Sequence, residues 1–300
     1  MIKKTLFMLA VLAVQFTWSC DICGGGSQWL NTGLQPQFNQ HYFGISGSFR
    51  KFLNPETSHS SSASQDQLFT LNATGRFSIN DKFQFSLSIP YSVNSRTTAD
   101  EKKSTQGIGD IQFQWGSLWM NRGLREGKIR LFLQSQFSFR LPTKLNKEQT
   151  LPLAMRPSLG SYGVGFSVNG MLASKSWAVA SQWGYFYSFM DENAYQLADQ
   201  WVGNLQLFWF VPTGKLKLAP HFQVRGIKHG VDHQYDYPVM NANEQRLNLG
   251  FGLDVYMEKF AFISNVYFQG WEKFETELPT LKKDILVSFI YFINHKKIKK

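Results

Sequence analysis

Cysteine is scarce in this chain. Cys20 and Cys23 are the only two among 300 residues, which excludes a disulfide-stapled scaffold. Long apolar runs are missing as well. No window of about 18 consecutive apolar residues follows the first 20 or so positions, which excludes a bundle of membrane helices. Acidic residues are few, 21 against 31 Lys and Arg, for a net charge of +10. Aromatics, by contrast, make up 16% of the chain, with 27 Phe, 11 Tyr and 9 Trp. Many aromatics without an apolar helix is the composition of a membrane β-barrel, in which only every second strand residue meets lipid. A large soluble β domain shares that composition, so organisation must decide.

The first 19 residues have the layout of a secretory signal. Lys3 and Lys4 are followed by the apolar run Leu6 to Val14, and Thr17 and Ser19 stand at −3 and −1 of a cleavage before Cys20. The expected organisation is a signal over 1–19, an N-terminal CxxC segment over 20–39, a barrel over 40–293 and a basic tail over 294–300.

Period-two alternation recurs along the mature chain. In KFQFSLSIPY, Phe83, Phe85, Leu87 and Ile89 alternate with Lys82, Gln84, Ser86 and Ser88. In RLNLGFGLDVYM, Leu247, Leu249, Phe251, Leu253 and Val255 alternate with Asn248, Gly250, Gly252 and Asp254. Twelve strands are predicted, near 40–51, 67–79, 82–93, 108–118, 127–140, 160–171, 175–189, 199–211, 214–226, 244–257, 259–270 and 281–293.

The links between these segments are sorted by length. NPETSHSSSASQ, NSRTTADEKKSTQ and the stretches 142–159, 227–243 and 271–280 are long, and MDENAYQLA is moderate. On the other side, Asn80-Asp81, Ala173-Ser174, Pro212-Thr213 and Glu258-Lys259 are tight, and NRGLREG is moderate. A soluble sandwich has no reason to sort its links, whereas an outer-membrane barrel does. The expected fold is therefore all-β, a 12-stranded antiparallel transmembrane β-barrel of outer-membrane type. Tyr42, Tyr91, Trp119, Trp177 and Trp271 near strand ends suit interfacial girdles. Tyr291 and Phe292 supply the aromatic end that barrel-insertion machinery reads, although INHKKIKK follows them.

GIGDIQFQW, residues 107–115, resembles the GxGD strand start of outer-membrane transport barrels such as those of phenol-degradation pathways. CDICGGG followed by LQPQFNQHYFGISGSFR resembles the start of a group of Gram-negative outer-membrane "transporter family" barrels, whose mature chains open with a CDxCGC-like motif and a PQFxxHFxGLRY-like first strand. Gly25 stands where that group has its third cysteine. The resemblance implies a transport barrel, loosely associated with copper or other metal handling.

Three sets of residues are candidate sites. Cys20 and Cys23 can form a disulfide, act as a redox pair, hold a soft metal such as copper or zinc, or, through Cys20, carry a lipid. Two thiolates do not complete a zinc site, and Thr17 and Trp18 are not the residues a lipidation signal prefers. His229 and His233, with Asp232, Asp236 and Met240, bring imidazoles and carboxylates close together in KHGVDHQYDYPVM, which a solvated loop explains equally. The polar strand faces put Asp110, Arg130, Arg140, Lys217, His221, Arg225 and Asp254 toward a lumen, where charges must pair or be hydrated.

The expected function is passive passage or binding of a small solute by a monomeric barrel in the outer membrane, with anions favoured and no nucleic-acid partner. One alternative is a structural or surface-binding barrel without transport. Another is an outer-membrane lipid hydrolase using His41 with Ser46 or Ser48, but the chain has no GxSxG elbow, and no enzyme is expected.

Overall fold

The computed structural model describes residues 40–54, 63–124, 128–143, 155–235, 237–238, 244–274 and 280–293. Cys20, Cys23, Asp236, Met240, the signal and the basic tail lie outside these residues. Twelve strands form the wall: β1 His41–Asn54, β2 Ser64–Ser78, β3 Phe83–Thr97, β4 Ile111–Leu124, β5 Ile129–Leu141, β6 Gly163–Ala173, β7 Trp177–Ser188, β8 Gln200–Trp209, β9 Leu216–His229, β10 Glu244–Tyr256, β11 Phe260–Phe274 and β12 Thr280–Ile293. Each pairs antiparallel with its sequence neighbours, and β1 pairs with β12, so the sheet closes into a 12-stranded barrel. Closure leaves no sheet edge, the condition for strands to stand in hydrocarbon.

Burial is inverted relative to a soluble sandwich. On β1, Phe43 and Ile45 are exposed, while Arg50 and Phe52 are buried. The same inversion holds on β2, where Phe69 and Leu71 face out and Asp66, Thr70, Asn72 and Arg76 face in. Large apolar side chains are exposed around the whole wall, among them Ile89, Trp115, Phe137, Trp183, Leu205, Phe251, Phe268 and Phe289. An apolar belt on the outside of a closed sheet fits lipid and would be costly in water.

All twelve predicted strands are present, but several boundaries move. The long link after β3 is not plain loop. β3 runs to Thr97 and the chain returns as the strand Lys102–Ile108, paired with it, so the hairpin extends the wall upward. β4 continues to Leu124 with a bulge between Leu118 and Met120, which tightens the link predicted as moderate. The hairpin expected at Pro212-Thr213 turns later, at Gly214, whose φ of 61° suits glycine. Val211–Thr213 pairs with the start of β9 instead. β11 runs to Phe274, so the link expected to span 271–280 shrinks to 275–279. Tyr42, expected in a girdle, faces inward, with the Arg76 guanidinium 4.3 Å from its ring centroid. Trp271 is exposed near the end of β11, as a girdle requires, whereas Trp119 is exposed at the β4 bulge, inside the lengthened strand.

Some inward glycines are troughs for neighbouring side chains. A Cβ on Gly250 would lie 2.6 Å from Gln223 Cγ and 2.8 Å from Tyr267 Cδ1. A Cβ on Gly252 would overlap His221 Nε2 and the Ser264 carbonyl oxygen. Side chains from β9 thus cross over β10 to reach β11. Gly252→Ala is expected to lower the unfolding free energy by about 1–3 kcal/mol, the cost of overpacking. Gly47→Ala, whose Cβ would meet nothing nearer than Phe69 at 3.9 Å, is expected to stay within about 0.5 kcal/mol of wild type. Urea unfolding of the refolded barrel, followed by tryptophan fluorescence, checks both.

Candidate functional site in the barrel lumen

The inward faces of β8 to β12 and β1 carry a dense polar wall. Arg225 on β9 reaches across β10 and β11, its guanidinium 3.9 Å from the Tyr267 ring centroid, and donates to Asp284 Oδ2 at 2.6 Å. His221 Nε2 lies 2.7 Å from Asn265 Oδ1, and its Nδ1 lies 3.6 Å from Asp254. Gln223 donates to Asn265 at 2.6 Å and accepts from Gln206 at 2.8 Å and from the Tyr267 hydroxyl at 3.1 Å. The Tyr256 hydroxyl donates to Asp254 at 2.8 Å. Arg246, Asn248 and Asp254 are 0% exposed.

A second element emerges only from strand register. Gln134 on β5 pairs with Asn169 on β6, and Asn169 with Gln182 on β7. Gln182 pairs with Asn204 on β8, Asn204 with Arg225, Arg225 with Asn248, and Asn248 with Gln269 on β11. Of these seven consecutive strands, six therefore present a carboxamide at one continuous register row, and β9 presents Arg225. Both amide atoms of Asn248 are buried without a hydrogen-bond partner among the described residues, as is Oδ1 of Asn204. Such groups hold hydrogen-bonding capacity for water or a polar solute. On the opposite wall, Ser88 donates to Asn72 at 2.7 Å, and Thr70 and Ser92 lie 3.1 Å apart.

Charges concentrate toward the rim with the longer links. Asp66 takes a two-pronged bond from Arg96, at 2.7 and 2.6 Å. Asp110 pairs with Arg140 at 3.7 Å and also accepts from the Ser158 hydroxyl and the Leu159 amide. Among the described residues, the six buried or half-buried inward arginines Arg50, Arg76, Arg96, Arg140, Arg225 and Arg246 outnumber the four buried inward carboxylates Asp66, Asp110, Asp254 and Asp284.

The seven predicted lumen residues thus fall into groups. Asp110 meets Arg140, His221 meets Asp254, and Arg225 meets a partner that sequence reasoning did not single out, Asp284. Asp284 stands at the head of the apolar segment DILVSFIYFI, directly after Lys282 and Lys283, where strand parity marks it as inward. Arg130 and Lys217 are exposed near the short-link rim, and the Lys217 ammonium stands 3.7 Å from the Phe210 ring centroid.

His229 is buried at the end of β9, and His233 is half-buried in a short strand, His233–Gln234, paired with Tyr195–Gln196 and Tyr237–Pro238. Asp232 beside them is taken up as a loop clasp, accepting from the Tyr195 hydroxyl and from the Ala198 amide at 2.7 Å. Burial pushes the Asp232 carboxyl above the usual carboxylate range, against the pull of Tyr195, Ala198 and the nearby His233. Among the described residues, no three His, Cys, Asp or Glu side chains come together as a metal site. His41 and the serines of the hydrolase alternative are separated. Ser46 and Ser48 face the lumen, while His41 lies on the other face of β1 against Phe77 and accepts from the Ser78 amide at 3.1 Å.

Closed strands, a greasy outside and a polar inside define a barrel of the outer-membrane class. The structure is similar to that of an outer-membrane channel from Pseudomonas putida F1, with a TM-score of 0.66 and 10% identity over 88% of this chain and 98% of that one. It also aligns with the β domain of the Bordetella autotransporter BrkA, with a TM-score of 0.49 and 11% identity over 85% of this chain and 100% of that one. The NanC porin aligns with a TM-score of 0.44 and 10% identity over 84% and 100% of the two chains. No protein-family model matches this chain, and no curated protein matches it in sequence.

Removing one partner of a buried ion pair strands the other. Asp284→Asn is therefore expected to cost about 3–5 kcal/mol of unfolding free energy by leaving Arg225 without its carboxylate. Asp66→Asn is expected to cost about 1–2 kcal/mol, because Arg96 is 26% exposed and can turn to water. Urea unfolding of the two variants beside wild type measures the difference.

Proposed function

We propose that this chain is a passive channel of the Gram-negative outer membrane that passes or binds a small polar solute, with anions favoured over cations. The excess of inward arginines over inward carboxylates carries this reading. The carboxamide row supports it, because uncharged amides can exchange hydrogen bonds with a moving solute at little cost. Twelve strands lie between the packed eight-stranded barrels and the open porins of 16 to 18 strands, so a narrow passage is the expected bore. In this reading the longer links face outside and the short turns face the periplasm. The barrel acts as a monomer in outer-membrane lipid, inserted by the barrel-assembly machinery, and is not an enzyme. Copper or zinc handling belongs to the N-terminal cysteines, and a Cys20→Ser, Cys23→Ser form that binds either metal as well as wild type would remove it.

The test is single-channel conductance of the refolded protein in a planar bilayer, with the reversal potential read under a salt gradient. Discrete steps with anion preference are expected. Arg246→Gln and Arg50→Gln are expected to move the reversal potential toward zero selectivity. A second reading, a self-filled barrel that works only through its surfaces, is favoured by the complete burial of Arg246, Asn248 and Asp254. A correctly inserted barrel without conductance would establish it in place of the channel.

A further inference from the structure

The outward face of the wall is largely apolar, and near the long-link rim a cluster of lysines breaks it at β1 and β12. Lys51 on β1 stands directly opposite Lys283 on β12. Arg50 and Phe52 point inward, so Lys51 points out, and Asp284 points inward, so Lys283 points out. Like charges directly opposite across an antiparallel pair sit with Cβ atoms about 5 Å apart and repel. A bulge makes the arrangement denser. Register shifts between Lys51 and Phe52, so that Phe52 faces Leu281 and Lys282 is the extra residue. Lys282 and Lys283 are consequently both exposed. None of the three lysines has an ion-pair partner among the described residues, and the carboxylates Asp284 on β12 and Asp66 on the neighbouring β2 are turned inward onto Arg225 and Arg96.

Beside the lysines is a groove of about 510 Å³, lined by Leu53, Gln65, Thr97, Thr98 and Lys282. Leu53 and Gln65 are cross-strand partners, as are Gln65 and Thr97, so the floor of the groove runs across β1, β2 and β3. Below the lysines the wall is greasy, with Phe69, Leu71 and Val287 exposed. Going down the wall from the rim, the hydroxyl and amide groups of the groove, the cations Lys51 and Lys283 and then an apolar surface thus follow one another. That is the order of chemistries in a phosphorylated amphiphile whose tails lie in the membrane.

We propose that this face holds the phosphorylated headgroup of an outer-leaflet glycolipid, with Lys51, Lys282 and Lys283 on its phosphates and the groove on its sugar. The assignment rests on the longer links facing outside. It does not depend on conduction, because all three lysines are on the lipid side of the wall.

The test uses the refolded barrel in detergent and reads lipid binding by native mass spectrometry. The probes are bis-phosphorylated lipid A, the same glycolipid without phosphates, and inorganic phosphate. Wild type is expected to bind the bis-phosphorylated lipid about tenfold more tightly than the K51Q/K282Q/K283Q variant. The dephosphorylated lipid should bind both forms alike, and millimolar inorganic phosphate should not displace the lipid. Lys228→Gln, an exposed outward lysine on β9, should bind like wild type. Equal binding by wild type and the triple variant overturns the proposal, as does indifference to the lipid phosphates. Displacement by inorganic phosphate would mark a free-anion site and also overturn it. Heat-modifiable gel mobility shows that each variant is folded. Should the triple variant fail to fold, Lys282→Gln and Lys283→Gln alone, each expected to weaken binding about twofold, carry the same test.

Discussion

Everything in this structure depends on the pairing of β1 with β12. Backbone amides and carbonyls cannot stay unsatisfied in hydrocarbon, so a sheet placed there must have no edge. The register from His41 opposite Ile293 to Leu53 opposite Thr280 removes both edges at once. Strand alternation then acquires an absolute meaning. One face of every strand meets lipid and must be apolar, and the other meets the lumen and can be polar. The exposed Phe, Leu and Trp residues and the buried Arg, Asp, Asn and Gln residues are two consequences of one closure.

A polar lumen has to satisfy itself or be wet. Between β9 and β12 the side chains of His221, Gln223 and Arg225 do the first, and for His221 and Gln223 glycine is the means. Gly250 and Gly252 remove two side chains from β10 so that Gln223 and His221 can lie across it and meet Asn265 and Tyr267. Arg225 also crosses β10 and β11, to reach Asp284. The glycines that look like weak strand residues in RLNLGFGLDVYM are therefore what lets a three-strand hydrogen-bond lattice form.

Charge is sorted along the barrel as well as across it. The Asp66–Arg96 and Asp110–Arg140 pairs stand toward the long-link rim, where Ser158 and Leu159 from a link fold in to share the Asp110 carboxylate. The outward lysines of β1 and β12 are at the same level on the other side of the wall. Asp284, next in sequence to Lys283, faces the lumen, because adjacent residues on a strand point to opposite sides. The bulge at Lys51 sets Lys282 beside Lys283 without disturbing that rule for Asp284.

The number of strands, their order and the sorting of links could be read from the sequence, because alternation and turn residues are local and each strand spans only a dozen or so positions. Lumen candidates such as Asp110, His221, Arg225 and Asp254 could be read for the same reason: strand parity marks the polar face. Strand ends were less legible. Hairpins beyond the wall, such as Thr97 with Lys102, carry no lipid-facing pattern to announce them. Partners were not legible at all. The union of Arg225 with Asp284, the carboxamide row from Gln134 to Gln269, and the opposition of Lys51 and Lys283 all depend on register. Register is set by closure around the whole ring, a relation between residues as far apart as the two ends of the barrel, and only the tertiary structure decides it.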